Sequence, residues 1–307
     1  PESFRKTAHY LMVEDYLIYR LTGRMATDHA LNPSTLYYDL VRGEWWDEML
    51  DFLGITRAQL PELRVSGQVA GRVAKEAGWA AGLPVTVAPI DQVAATVGAG
   101  NRAPGMVTET TGCALAICAT VDRPIYDPAQ RIGLYRHARP GLFVLMPWIP
   151  TAGMILRWFR DEWGGGLDYA ALTEMAAAIA PGSEGLVVLP HFCGMTSPEV
   201  NADARGVFYG LTPAHRKAHF VRAILESTAY ALRDNVEMLA GCGIPCLEVT
   251  ALGGAARSRL WRQIKADVLG KPIRSMACEE ATSLGTAVLA AAGTGLQGGV
   301  EAAMAAM

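Results

Sequence analysis

Three short segments hold residues whose types and spacing could do chemistry. Asp91 follows an apolar run at 85–89 and opens a helical pattern, DQVAATVGAG. A carboxylate at a helix N-terminus is stabilised as the anion. Beside a cleft it can also take a proton from a substrate hydroxyl. The same position suits a plain N-cap. The string TETTGCA sets Thr110, Thr111 and Gly112 at a tight turn. Hydroxyls and turn N–H groups suit phosphate oxygens, although two β-favouring threonines before a hairpin turn read the same way. Gly253-Gly254 separates a short apolar run, 246–252, from a helical pattern. A glycine pair there lets backbone approach a ligand closely and leaves free helix N–H groups beside it. A plain β–α turn would carry the same pair.

These residues need elements to hold them. Ser258 precedes a helix with Leu260, Ile264, Val268 and Leu269 on one face, and Gly270 with Pro272 ends it. A second short strand follows, and Thr282 or Ser283 can cap the last helix. Residues 107–110 and 113–120 read as a hairpin about Gly112, and 142–148 as a third strand. Helices are expected at 153–163, 169–180 and 214–239, with short strands at 186–189 and 207–211 around a long loop. Nearer the start, 5–21 has one long helical pattern ending at Gly23. Residues 26–40 read as a loop, 45–53 as a short helix and 83–89 as a buried strand. Periodicity alone gives an α/β chain with a mixed sheet.

The 246–292 string carries more than its parts. Gly253, Gly254, Ala255, Arg257, Ser258, Trp261, Asp267, Gly270, Pro272, Glu280 and Gly285 closely resemble the second signature of the FGGY carbohydrate kinases, with a xylulokinase-like flavour. The resemblance extends over nearly the whole chain. It implies a ribonuclease-H-like fold of the actin, Hsp70 and sugar kinase superfamily. The first domain (1–102) would bind substrate and be incomplete, and the second (103–307) would bind nucleotide. It implies ATP and Mg²⁺ as cofactors. Asp91 would be the catalytic base, despite Ala88 and Pro89 where the family often has glycines. Thr110, Thr111 and Gly112 would meet the β- and γ-phosphates, with Glu109 a departure from the usual glycine. Gly253, Gly254, Ala255, Arg257 and Ser258 would lie along the adenosine. Asp91, Gln92 and Trp148 are candidates for the sugar side. The loop HFCGMTSPEVNADARGVFYGL resembles the family stretch containing Arg205-Gly206, with Gly210-Leu211-Thr212 opening the next helix; it could equally be a connector with Arg205 solvated.

The resemblance also implies a DxGTxxxR-type phosphate loop ahead of residue 4 and a further segment after the Ala-rich helix. The chain is therefore expected to lack the Mg²⁺ carboxylate and the strands that pair with 83–89, and to be inactive by itself. The phosphoryl acceptor would be a sugar or polyol, most readily a ketopentose such as xylulose. An actin- or Hsp70-like nucleotide binder without a small substrate, or a regulatory relative, is the alternative.

Composition narrows the classes. The chain has 307 residues, 51% of them hydrophobic, and a formal net charge of −3. This charge balance offers no grip for nucleic acid or an anionic membrane. No apolar run approaches the ~20 residues of a membrane span. The six cysteines match no zinc spacing and read as mostly buried, reduced thiols of a cytoplasmic protein. The six histidines do not cluster, and His191, His215 and His219 read as structural or exposed. Trp148, Trp158, Phe159 and Trp163 read as core. A possible homodimer is the remaining partner.

Overall fold

The computed structural model describes residues 2–78 and 80–305. Its main sheet is built from β1 (Val107–Thr111), β2 (Leu115–Val121), β3 (Gly133–Arg136), β4 (Phe143–Met146), β5 (Val249–Leu252) and β6 (Ile273–Ser275), ordered β6-β5-β1-β2-β4-β3. Trp148–Ile149 adds a short pairing to β2. The β1–β2 hairpin, β4 and β3 are antiparallel, whereas β5 and β6 run parallel to β1. The sheet is mixed, as the sequence predicts.

Both faces of this sheet are covered. On β2 alternate residues Leu115, Ile117 and Ala119 are fully buried and join a core with Leu232, Val236 and Leu239 of a 25-residue helix, α5 (Lys217–Gly241). Cys118 points to the other face and packs with Val93 and Val97 of α2 (Asp91–Gly98) and Val288 and Leu289 of α7 (Ala281–Gly293). This period-two alternation with two apolar faces is what a central strand requires. A second core lies beside the sheet. It gathers Ile155 and Phe159 of α3 (Gly153–Trp163), Leu172 of α4 (Tyr169–Ala177), Ile224 of α5 and Ile264 of α6 (Arg259–Leu269).

Helices α2 and α7 pack at backbone contact. A Cβ added at Gly98 would lie 1.9 Å from the Ala281 carbonyl oxygen, and one at Gly285 would lie 1.9 Å from the Ala94 carbonyl oxygen. Each helix thus presents a glycine to the other's backbone.

The early part of the chain departs from expectation. The 5–21 helix splits into Glu2–Lys6 and α1 (Val13–Thr22). Asp15 fixes the new start, because its Oδ2 accepts the Met12 N–H at 3.0 Å. Gly23 does stop this helix, at φ 71°. The expected loop at 26–40 contains a buried strand, Ala26–Asp28, parallel to Glu62–Arg64, and a hairpin joining Tyr38–Asp39 to Glu44–Trp45. The strand expected at 83–89 is Pro84–Thr86. Contrary to expectation it pairs within this chain, with Val69–Arg72.

Later differences are smaller. Strand 142–148 is interrupted at Pro147, which has no N–H to give, and β3 was not foreseen. Thr282 and Ser283 lie inside α7 rather than capping it, and Glu280 occupies the cap. Gly210-Leu211-Thr212 does not open α5, whose cap is Arg216. Of the aromatic group only Phe159 is core; Trp148, Trp158 and Trp163 are exposed because they lie on the outer sides of their elements. Only Cys118 and Cys246 are buried, whereas Cys113, Cys193 and Cys278 are exposed. None of the described helices is long and apolar enough to cross a membrane.

The α2–α7 crossing sets a test. Gly285→Ala gains helix propensity worth about 1 kcal/mol but drives a methyl group into backbone. Overpacking should dominate, so urea unfolding is expected to show a net loss of roughly 2 kcal/mol or more. Unchanged stability would mean that the helices can separate freely.

Candidate functional site

The site is set by two strands that end side by side. β1 and β5 are parallel, with Leu252 opposite Thr110, so the turns that follow them open at the same edge. In mixed and parallel sheets the carboxyl ends of strands form the usual ligand crevice. Gly253 leaves β5 at φ 76°, and a Cβ on it would lie 3.0 Å from the Thr111 carbonyl oxygen. The positive φ and the close approach both require glycine. A single 3₁₀ turn, Gly254–Arg257, follows. Ser258 then caps α6, its hydroxyl accepting the Trp261 N–H at 3.2 Å.

The opposing turn is anchored by α3. The Gly153 N–H donates to the Gly112 carbonyl at 2.9 Å, and the Ala152 N–H donates to the Cys113 carbonyl at 2.8 Å. Gly153 has no room for a side chain, since a Cβ would lie 2.3 Å from the Gly112 oxygen.

A cavity of about 740 Å³ opens between these turns. Thr111 and Gly112 line one side, Gly254, Ala255, Arg257 and Ser258 the other, and residues of α3 and α4 close the far end. A smaller recess of about 180 Å³ lies across the glycine turn, bounded by Thr110, Gly253, Gly254, Arg257 and the first residues of α7. Arg257 lines both spaces and pairs with Glu279. The volume, the backbone-rich turns and the nearby cation suit a ligand with a flat apolar part and an anionic tail. The structure therefore brings together the hairpin turn and the glycine turn, which are more than 140 residues apart in sequence.

Thr111 meets this cavity differently from expectation. Its side chain is buried, and its hydroxyl donates to Glu109 Oε2 at 2.6 Å. The turn's backbone and Thr110 remain to face a ligand. Asp91 is the first residue of α2, exposed, with Ile90 at the cap, so it is not an N-cap. It accepts the Gln92 N–H at 2.8 Å. Asp91, Gln92 and Trp148 line neither space, although Ala95, one turn along α2 from Asp91, lines the smaller one. The Trp148 ring is exposed, and its carbonyl accepts from Ser197 at 2.8 Å. Arg205 is exposed and donates to the carbonyls of Ala202 and Ala204. His215 and His219 are buried and serve local backbone, accepting N–H groups of Thr212 and Arg216.

Residues 1–98 match the N-terminal domain and residues 105–294 the C-terminal domain of the FGGY family of carbohydrate kinases. The chain belongs to that family. It is 28% identical to the xylulose kinase of Bacillus subtilis over 299 residues, covering 96% of this chain and 60% of that protein. It is 33% identical to the glycerol kinase of Geobacillus kaustophilus over 296 residues, covering 92% of this chain and 58% of that protein. The structure of a ligand-bound xylulose kinase from Lactobacillus acidophilus superposes with a TM-score of 0.88 at 26% identity, over 96% of this chain and 61% of that one. The chain thus spans about 60% of the length of the relatives it matches. These neighbours share the sugar kinase fold that the sequence suggests.

Two features of the chain escaped the sequence reading. One is the buried pair Glu109 and Lys265 beneath the hairpin turn, joined at 2.6 Å. Its only sequence signal is a charge at each of two positions whose neighbours demand burial. The other is Asp28, 1% exposed, whose Oδ1 accepts from the Ala30 N–H at 2.7 Å and the Ser66 hydroxyl at 2.9 Å. Its Oδ2 is buried without a partner among the described residues. Burial raises the Asp28 pKa to about 7 against the pull of those hydrogen bonds.

The sign of this shift makes a prediction. The folded chain holds the Asp28 proton more tightly than the unfolded chain, so stability is fully present below about pH 4. It falls as pH rises through about 7. Asp28→Asn cannot ionise. Its unfolding free energy relative to the parent should therefore rise by a few kcal/mol between about pH 4 and pH 8. A difference that stays flat across that window would show that Asp28 is not a strained buried acid.

Proposed function

We propose that the protein transfers the γ-phosphoryl group of ATP to a hydroxyl of a small sugar or polyol, with a ketopentose such as xylulose the first candidate. The observation that carries this reading is the cavity lined by Thr111 and Gly112 on one side and by Gly254, Ala255, Arg257 and Ser258 on the other. Adenosine would lie along Gly253, Gly254, Ala255, Arg257 and Ser258. Phosphate oxygens would meet the backbone of Thr111 and Gly112 and the side of Thr110. Asp91 would accept the proton of the attacking hydroxyl, with Gln92 and Trp148 on the sugar side. Residues 1–102 belong in this reading to the substrate-binding domain and 103–307 to the nucleotide-binding domain, of a cytoplasmic enzyme that could form a homodimer.

The chemistry asks mainly for alignment and charge neutralisation. The turns supply fixed backbone groups, and the sheet edge holds them without rearrangement. Asp91 stands exposed at the start of α2, where it would accept the proton of an incoming hydroxyl. No group of three or more His, Cys, Asp or Glu side chains among the described residues could hold a metal ion. Mg²⁺, when bound with ATP, would neutralise the phosphate charge. Xylulose kinases and a glycerol kinase are all among the relatives, and sugars and polyols differ by a few hydrogen bonds. The choice among them rests on a substrate screen.

Two measurements test this reading in the full-length protein. Asp91→Asn should leave ATP affinity within about threefold and lower kcat by at least about 100-fold, as expected for loss of a positioned base. Near-normal turnover would remove Asp91 from the mechanism. Gly254→Val should raise the KM for ATP far more than that for the sugar, because a side chain there narrows the cavity. ATP binding without any sugar-dependent ADP release would favour the actin- or Hsp70-like alternative.

A further inference from the structure

Beneath the floor of the cavity lies a closed set of charges. Lys265 Nζ donates to Glu109 Oε1 at 2.6 Å and to the Thr111 hydroxyl at 2.8 Å. The Thr111 hydroxyl in turn donates to Glu109 Oε2 at 2.6 Å. All three residues are at most 1% exposed. Lys265 also sits over the Trp261 ring, 5.5 Å from its centre, and the Trp261 indole N–H donates to the Thr228 hydroxyl at 2.7 Å. The single proton of the Thr111 hydroxyl and one of its lone pairs are therefore used inside the protein.

Stability alone does not account for this arrangement. A buried ion pair loses much of its Coulomb attraction to desolvation, and apolar residues of similar volume often serve as well. Its position is informative. Glu109 stands two residues before Thr111 on β1, and Lys265 is on α6, the helix that the glycine turn opens. The pair ties one wall of the cavity to the other. Glu109 also stands where the family resemblance often has a glycine.

We infer that Glu109 and Lys265 are positioning residues for the phosphate end of the nucleotide. Acting through Thr111, they hold the 110–112 turn at a fixed separation from the glycine turn. The inference rests on the nucleotide reading of the cavity. Neither side chain touches a ligand, and Thr111 acts as a strut rather than a phosphate-binding hydroxyl. Loss of the tie should loosen the phosphate end and leave the adenosine walls, made by Gly254–Ser258, α3 and α4, in place.

Calorimetric titration of the full-length protein with ATP and with adenosine tests this. The double variant Glu109→Leu, Lys265→Met removes both charges and keeps apolar volume. ATP affinity should fall by at least about tenfold while adenosine affinity stays within about twofold, since misplacement of about 1 Å is costly only where contacts are directional. Unchanged ATP affinity, or ATP and adenosine affinity falling together, overturns the positioning role. ATP affinity that rises would mean that Thr111 is a ligand freed by the change, and also overturns it. A parent protein that binds no ATP sinks the nucleotide reading first, and this inference with it. Should the apolar pair fail to fold, Glu109→Gln with Lys265→Gln keeps polar partners for Thr111 without charge. The same split between ATP and adenosine is then expected, in weaker form, and its absence counts against the inference in the same way.

Discussion

The arrangement of this molecule depends on the approach of two helices to backbone contact. Gly98 of α2 lies against the Ala281 carbonyl and Gly285 of α7 against that of Ala94. A side chain larger than hydrogen at either position would force the helices apart. The contact joins the helix that begins with Asp91 to the helix whose first residues border the smaller recess. It also closes one face of the sheet, over Cys118 and Val144. It thereby helps to fix the carboxylate relative to the two turns at the sheet edge, together with the packing of Val93 and Val97 on Cys118 of β2.

Within the sheet, the site follows from strand direction. β1 turns back into β2 through Gly112, whereas β5 runs on into α6 through Gly253. One turn is a hairpin and the other a strand-to-helix junction, yet they meet because β1 and β5 are parallel neighbours. The α3 N-terminus then fixes the hairpin turn from outside, through the Gly153 and Ala152 N–H groups. Backbone hydrogen bonds thus contribute to the rigidity of the cavity. Side chains shape its walls, while hydrogen bonds within the protein set its frame.

What could be read from sequence was local. The Ser258 cap, the Gly270 stop, the Asp91 helix start and the β1–β2 hairpin each follow from a few neighbouring residues, and the structure has all four. The Gly112 turn between two apolar, β-favouring runs made β2 visible. The early chain was harder because its order is made by tertiary partners. Ala26–Asp28 is a strand by virtue of Glu62–Arg64, and Asp15 moves a helix start by accepting a single N–H. β3, GLYR, has no pattern of its own and is held by Phe143–Met146. The tie between Glu109 and Lys265 spans 156 residues, and no local pattern can announce it. The family resemblance supplied the roles of the turns, but it could not show that Thr111 turns its hydroxyl inward.

The register of β5 against β1 has a further meaning. Leu252 lies opposite Thr110, and the two turns begin from that pair. A strand advances about 3.3 Å per residue and reverses its facing at each step. Adding or removing one residue in either strand would slide one turn past the other by that distance and exchange buried for exposed faces. The apolar strand residues thus work as a ruler. An insertion at 107–109 or 249–251 would be a change to the site although every residue lining it stayed the same.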